Sequence, residues 1–173
     1  MTLTTLPPFQ CLLDEHAPDL HRFLVASVGP HDGADCFQET VVAALRAYPG
    51  LRHTDNLRGW LFTIAHRKVI DHARRRARAV PMADPPEVRA APATEPDGPG
   101  TVALADPGLW AAVRALPPKQ RTAVVQRHLL DRPYAEVAAI IGCSEEAARQ
   151  SVRAGLQRLR HELGADATQE VTR

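Results

Sequence analysis

In the run IDHARRRAR, residues 70–78, a carboxylate (Asp71) stands beside an imidazole (His72), and four arginines follow. The Asp–His pair could seed a metal site, but a metal hydrolase needs further His or carboxylate ligands converging from elsewhere, and none has a matching spacing. The eight histidines form no ligand set. Cys11, Cys36 and Cys143 are far apart and fit neither a zinc spacing nor an even-numbered disulfide framework, which points to a reducing compartment. No Gly-rich phosphate cradle and no G-x-S-x-G motif occur. The expectation is a protein that is not an enzyme and that needs no metal or cofactor. What remains is the chemistry of fixed positive charge: guanidinium groups that grip phosphates or read base edges.

A second set of such groups lies in SEEAARQSVR, residues 144–153. Arg149 and Arg153 could read guanine O6 and N7, and Gln150 could read adenine; Ser151 shares their side of the helix. An exposed arginine on an amphipathic helix is usually only a solvated face. Its meaning depends on the element that carries it.

The elements are helical. Phe9, Leu12, Leu13, Ala17, Leu20, Phe23, Leu24 and Val28 recur at helical spacing, with Pro18 expected to kink or split the run. Phe37, Val41, Ala44, Leu45 and Tyr48 make a second apolar stripe. After a loop, Asp55 or Asn56 can cap a third helix that buries Leu57, Trp60, Leu61, Ile64 and Ala65. The opposite face and the end of that helix hold His66, Arg67, Lys68 and the arginines of 74–78. Downstream, Pro117-Pro118 separates two helices. Two more follow, with Pro133 in a first turn, Gly142 in a turn and Ser144 as N-cap. That last pair has the form of a helix-turn-helix with Val137, Ala138, Ile141, Ala148, Val152, Leu156 and Leu159 as its core. Its second helix is the one that enters a major groove. No stretch alternates strictly, so the fold class is all-α.

The net charge of +1 hides a strong segregation. Residues 57–79 hold seven basic residues against one acidic, and residues 80–108 one basic against five acidic. Two basic modules separated by an acidic segment point to a polyanionic partner. The acidic segment also carries seven prolines and few large apolar residues, so it reads as an extended, mostly disordered tether. The expected organisation is a helical domain over 1–79, a linker over 80–108, a helix-turn-helix domain over 109–163 and a tail over 164–173. The N-terminus MTLTTLPPFQ lacks the pattern of a signal peptide, which makes the expected location cytoplasmic.

Both modules resemble one family. GADCFQETVVAALRAYPGLRHTDNLRGWLFTIAHRKVIDHARRRAR is similar to region 2 of sigma-70 family factors of the extracytoplasmic-function (ECF, group IV) type. ALPPKQRTAVVQRHLLDRPYAEVAAIIGCSEEAARQSVRAGLQRLR is similar to region 4, including its LPxxxR entry and YAEVAAIIG. The resemblance implies a promoter-specificity subunit of RNA polymerase. Asp35, Gln38 and Glu39 would dock on the β′ clamp helices of the core enzyme, and the second domain would meet the β flap. Asn56, Arg58, Trp60, His66, Arg67, Lys68, Asp71, Arg74 and Arg75 would face the −10 element, with one base flipped into a pocket beside the 48–55 loop. Arg149, Gln150, Ser151 and Arg153 would read the −35 element. The partners implied are core RNA polymerase, promoter DNA and a separate anti-sigma factor, with no membrane insertion. Arg67 stands where many relatives carry Asn, and Ala154 and Leu156 where many carry a basic pair. The main alternative is a stand-alone helix-turn-helix regulator, which would bind palindromic duplex DNA as a dimer without polymerase.

Overall fold

A computed structural model describes residues 6–52, 55–79 and 106–170. Three helices form the N-terminal domain: α1 (Phe9–Val28), α2 (Pro30–Ala47) and α3 (Leu57–Ala79), with a 3-10 turn at Tyr48–Gly50. Four form the C-terminal one: α4 (Pro107–Ala115), α5 (Pro118–Val124), α6 (Tyr134–Ile141) and α7 (Glu145–Glu170). Helix α5 runs into a π-helical turn, Val125–Leu129, where Leu130 N–H reaches back to Val125 O. No strand occurs among the described residues.

Helix boundaries follow local chemistry. Asn56 caps α3, its Oδ1 accepting from Gly59 N–H at 2.7 Å. A β-carbon at Gly59 would lie 2.4 Å from the Asn56 amide, so a larger residue there would displace the capping side chain. Asp106 caps α4 through Leu109 N–H, so α4 begins at Pro107, two residues ahead of the domain start expected at 109. The turn between α6 and α7 depends on Gly142 in the left-handed region (φ 65°), and Ser144 Oγ accepts from Ala147 N–H at 3.2 Å. Helix α1 is not split at Pro18: one helix runs through it, with Leu20, Phe23 and Leu24 fully buried on the far side. Helix α7 continues to Glu170, where a tail was expected from 164. Most of the acidic linker, residues 80–105, lies outside the described residues.

Two expectations about burial need correction. Leu45 was placed in the apolar stripe of α2, yet it is 53% exposed beside the equally open Val42; the buried edge of α2 instead runs through Cys36, Thr40 and Ala44. Helix α3 buries Leu61 and Ala65 as expected, but also Phe62, His66 and Val69. The reason is that α3 has two neighbours. One side packs on α1 and α2, and another packs on α5 and α6 of the C-terminal domain. The buried apolar residues of both domains thus form one continuous cluster.

The junction between the domains differs in chemistry from the cores on either side. On the N-terminal side, Phe62 of α3 meets Phe23 of α1 edge-on at 5.9 Å, each fully buried and worth roughly 1.5–3 kcal/mol of transfer free energy. Around them the junction is polar. Arg58 makes a two-pronged bond to Glu136 (2.8 and 2.7 Å), and Arg132 reaches Asp19 at 2.6 Å while its guanidinium stacks over Phe62. Arg121 is buried and donates to Ser27 O at 2.6 Å and to Leu116 O. Burial, with Arg114 nearby, lowers its pKa to about 10, so it stays cationic at neutral pH. Ser27 Oγ and both amide atoms of the fully buried Gln126 find no partner among the described residues. A buried polar group left unpaired costs about 1–3 kcal/mol.

Candidate nucleic-acid interface

With 3.6 residues per turn, the side chains of α3 sort into three stripes, and each stripe has a different environment. The first holds Trp60, Arg67, Asp71, Arg74 and Arg78. Arg67, Asp71, Arg74 and Arg78 are exposed, and Asp71 and Arg74 lie 3.8 Å apart on the surface. Trp60 heads the line, half-buried, its ring tilted against Tyr48 at 5.9 Å. Tyr48 is itself held by an edge-on contact with Phe9 and by donating its hydroxyl to Pro7 O. This stripe is an aromatic platform continued by exposed cations.

The second stripe holds Lys68, His72 and Arg75, which face α2. Glu39 accepts from Lys68 Nζ (3.2 Å) and Arg75 Nη1 (3.3 Å), and Asp32 pairs with His72 Nε2 at 2.9 Å. The Lys68 hydrogen bond, opposed by partial burial and helped by Arg75, lowers the Glu39 carboxyl below its usual range. Glu39 therefore links a residue expected to dock polymerase with two expected to hold DNA. Asp35 and Gln38 are exposed on α2 without such ties, on the same helix as Val42 and Leu45.

The third stripe, Arg58, Phe62 and His66, faces the C-terminal domain. His66 was expected on the DNA-facing side of α3, but it is only 6% exposed, with Nδ1 2.9 Å from Thr122 Oγ1 of α5. Burial, reinforced by Lys119 and Arg67, lowers its pKa from 6.5 to about 4, so it is neutral there. Arg58 is tied to Glu136 as described. At the head of α3, Glu15, His16, Asp55, Asn56 and Arg58 are among the residues lining an open cleft of about 310 Å³.

Helix α7 is simpler. Ala148, Val152 and Leu159 are buried on one side, and Arg149, Gln150 and Arg153 are exposed on the other. Arg149 is paired with Glu145 one turn back and lies over the Tyr134 ring at 5.1 Å; Arg127 also lies over that ring, at 5.2 Å. Ser151 differs from its neighbours. It is half-buried and donates its hydroxyl to Ala147 O at 2.8 Å, so that donor is spent inside the helix. The residues that sequence reasoning passed over are Val42, Phe62, and Glu136 with Asp19, while Leu45 was assigned to the core instead of the surface. Two aromatic residues flanking a leucine in GWLF, Trp60 and Phe62, were the available sign that α3 is covered on more than one side.

The family of sigma-70 region 2 matches residues 12–79, and that of sigma-70 region 4 matches residues 108–159. The chain is 32% identical to the ECF RNA polymerase sigma factor EcfG of Rhodopseudomonas palustris, over 86% of this chain and 78% of that protein. The chain belongs to the ECF sigma-70 family. It is also 30% identical to the ECF RNA polymerase sigma factor SigE of Mycolicibacterium smegmatis, over 91% of this chain but only 62% of that longer protein. Among solved structures it resembles the sigma factor RpoE of Bartonella quintana, crystallised with the anti-sigma factor NepR (TM-score 0.68, 25% identity, 91% of this chain and 98% of that one). No helix among the described residues is long and apolar enough to cross a membrane.

Proposed function

We propose that this ECF family member binds core RNA polymerase and directs it to promoters, the N-terminal domain holding the opened −10 strand and the C-terminal domain reading the −35 element. The observation that carries the reading is the line on α3 of half-buried Trp60 and exposed Arg67, Arg74 and Arg78, in one chain with a helix-turn-helix whose second helix presents Arg149, Gln150 and Arg153. Opening a duplex costs a few kcal/mol per unstacked base, so the protein must offer stacking and phosphate contacts to the freed strand. A half-buried Trp ring at the head of a cation stripe supplies both. The helix-turn-helix does the complementary task on intact duplex.

The cleft at the head of α3 fits the role of holding a flipped base. Glu15 and Asp55 offer acceptors for an exocyclic amine and Asn56 offers both kinds of group. The exposed Val42 and Leu45, with Asp35 and Gln38 on the same helix, make an apolar patch with an acidic edge that suits docking on core polymerase. Location in the cytoplasm follows from that partner. The complex of RpoE with NepR supports a separate anti-sigma partner for this chain as well. The test is run-off transcription with sigma-free core polymerase on a promoter library, with transcripts sequenced. Discrete start sites preceded by shared −35 and −10 motifs support the reading. Absence of such starts together with tight palindromic binding by the chain alone would replace it with a stand-alone regulator.

A further inference from the structure

Arg149 and Arg153 stand one turn apart on the exposed face of α7, and the structure treats them differently. The Arg153 side chain has no ion pair, hydrogen bond or ring contact among the described residues. Arg149 is held by two groups. Its Nη2 donates to Glu145 Oε1, with Glu146 Oε2 3.9 Å from Nη1, and its guanidinium lies over the Tyr134 ring at 5.1 Å. The ring is itself braced. Arg127 lies over it as well, and Arg127 Nη1 donates to Asp131 Oδ1 at 3.1 Å and to Arg132 O at 3.2 Å. Only one of the five N–H donors of Arg149 is spent on Glu145, which leaves enough for a two-pronged bond to a guanine edge. An exposed Glu–Arg pair one turn apart adds little to stability, and so does a cation over a partly open ring. The consequence of this arrangement lies in how Arg149 meets DNA.

We propose that Tyr134 and Glu145 are positioning residues that preset Arg149 to read base edges and bias it against phosphate. The proposal rests on the reading of α7 as the −35 helix and adds the residues that set its selectivity. A free arginine samples many rotamers, and fixing it on two guanine acceptors gives up that freedom. A guanidinium already laid on a ring and hooked to a carboxylate has given up part of it before DNA arrives. The carboxylate also changes what the guanidinium prefers. Glu145 offsets the positive charge that a phosphate would meet, and its own charge is repelled by the backbone. Guanine O6 and N7 are neutral acceptors, so a bidentate contact there loses less by the pairing. Arg153, with no such partner, keeps its full attraction for phosphate. Arg149 therefore contributes more of the sequence selection and Arg153 more of the sequence-independent affinity.

The test binds holoenzyme, assembled from core polymerase and the full chain, to promoter duplexes with a randomised −35 segment and sequences the retained DNA. Arg149→Ala marks the base pair it reads by levelling the preference there. Tyr134→Leu and Glu145→Gln should each lower the preference at that same pair about two- to five-fold, the size of a ring or ion contact at an exposed site. Tyr134→Phe, which keeps the ring, should retain the preference. Glu145→Gln should also raise affinity for a random duplex. A Tyr134→Leu loss spread evenly over all sequences, or an equal loss in Tyr134→Phe, overturns the positioning role of the ring. A preference left intact by Glu145→Gln overturns that of the carboxylate. If Arg149→Ala levels no base pair, its role as a base reader falls and the positioning claim with it. If it levels one that neither Tyr134→Leu nor Glu145→Gln affects, only the positioning claim falls.

Discussion

Helices α3 and α7 carry the two sets of cations, yet they are embedded in opposite ways. Helix α3 is gripped by α1 and α2 on one side and by the C-terminal domain on another, so only one of its three polar stripes faces solvent freely. Helix α7 packs through a single apolar face and leaves Arg149, Gln150 and Arg153 open. The difference suits the two tasks. A duplex arrives ready-made, and a rigid helix with a free face can read it. A melted strand has to be held in a conformation it does not prefer, and that needs a platform fixed from several directions.

The largest effect should come from the packing that only α3 has. Phe62→Ala removes a ring buried by both domains and should lower stability by about 3–5 kcal/mol in denaturant melts. An Arg153→Ala change on α7 should stay within about 0.5 kcal/mol. Equal losses would mean that α3 is no more embedded than α7. Next, Leu45→Glu should weaken binding to core polymerase by about 1–2 kcal/mol in a fluorescence titration, with thermal stability unchanged. Unaltered affinity would remove the α2 patch from the docking surface.

Arg149→Ala should cost about 1–3 kcal/mol at one base pair of the −35 element and relax specificity there. Arg67→Ala and Arg74→Ala should act differently, weakening binding on every sequence and lowering the slope of log affinity against log salt by about one each. A uniform loss for Arg149 would make it a phosphate contact instead of a base reader.

The smallest effect concerns pH. His66 is neutral where it packs against α5, with a pKa of about 4, because burial and the nearby Lys119 and Arg67 oppose its protonation. Released to water it returns toward 6.5. The lowered value means that the domain contact is at full strength above about 6.5 and weakens as pH falls toward about 4. Scattering on wild type and His66→Gln between pH ~7 and ~5 should show opening with acid that is reduced in the variant. Identical profiles would place the pH response on other groups at the junction.

The parts of this molecule that were legible in its sequence are those fixed by short-range chemistry. Asn56, Gly142, Ser144 and the Pro117-Pro118 break set helix ends through groups within a few residues, and the exposed Arg149–Arg153 face follows from the helical period. What a single helical period cannot show is how many neighbours a helix has. A helix with one partner buries about one stripe, so His66 read as surface; with two partners, Phe62 and His66 go inside. Leu45 failed in the other direction. It continues an apolar stripe that no described element covers, and periodicity alone cannot tell a core face from an unpartnered one.

The most direct measurement of the division between α3 and α7 compares a fully paired promoter with the same promoter carrying an unpaired −10 segment, in holoenzyme transcription. The proposed roles predict that Arg67→Ala/Arg74→Ala is impaired on the paired promoter and substantially recovered on the unpaired one. Arg149→Ala should be impaired on both to the same degree. Recovery of Arg149→Ala, or an α3 variant equally poor on both templates, would contradict the assignment of strand-holding to α3 and duplex-reading to α7.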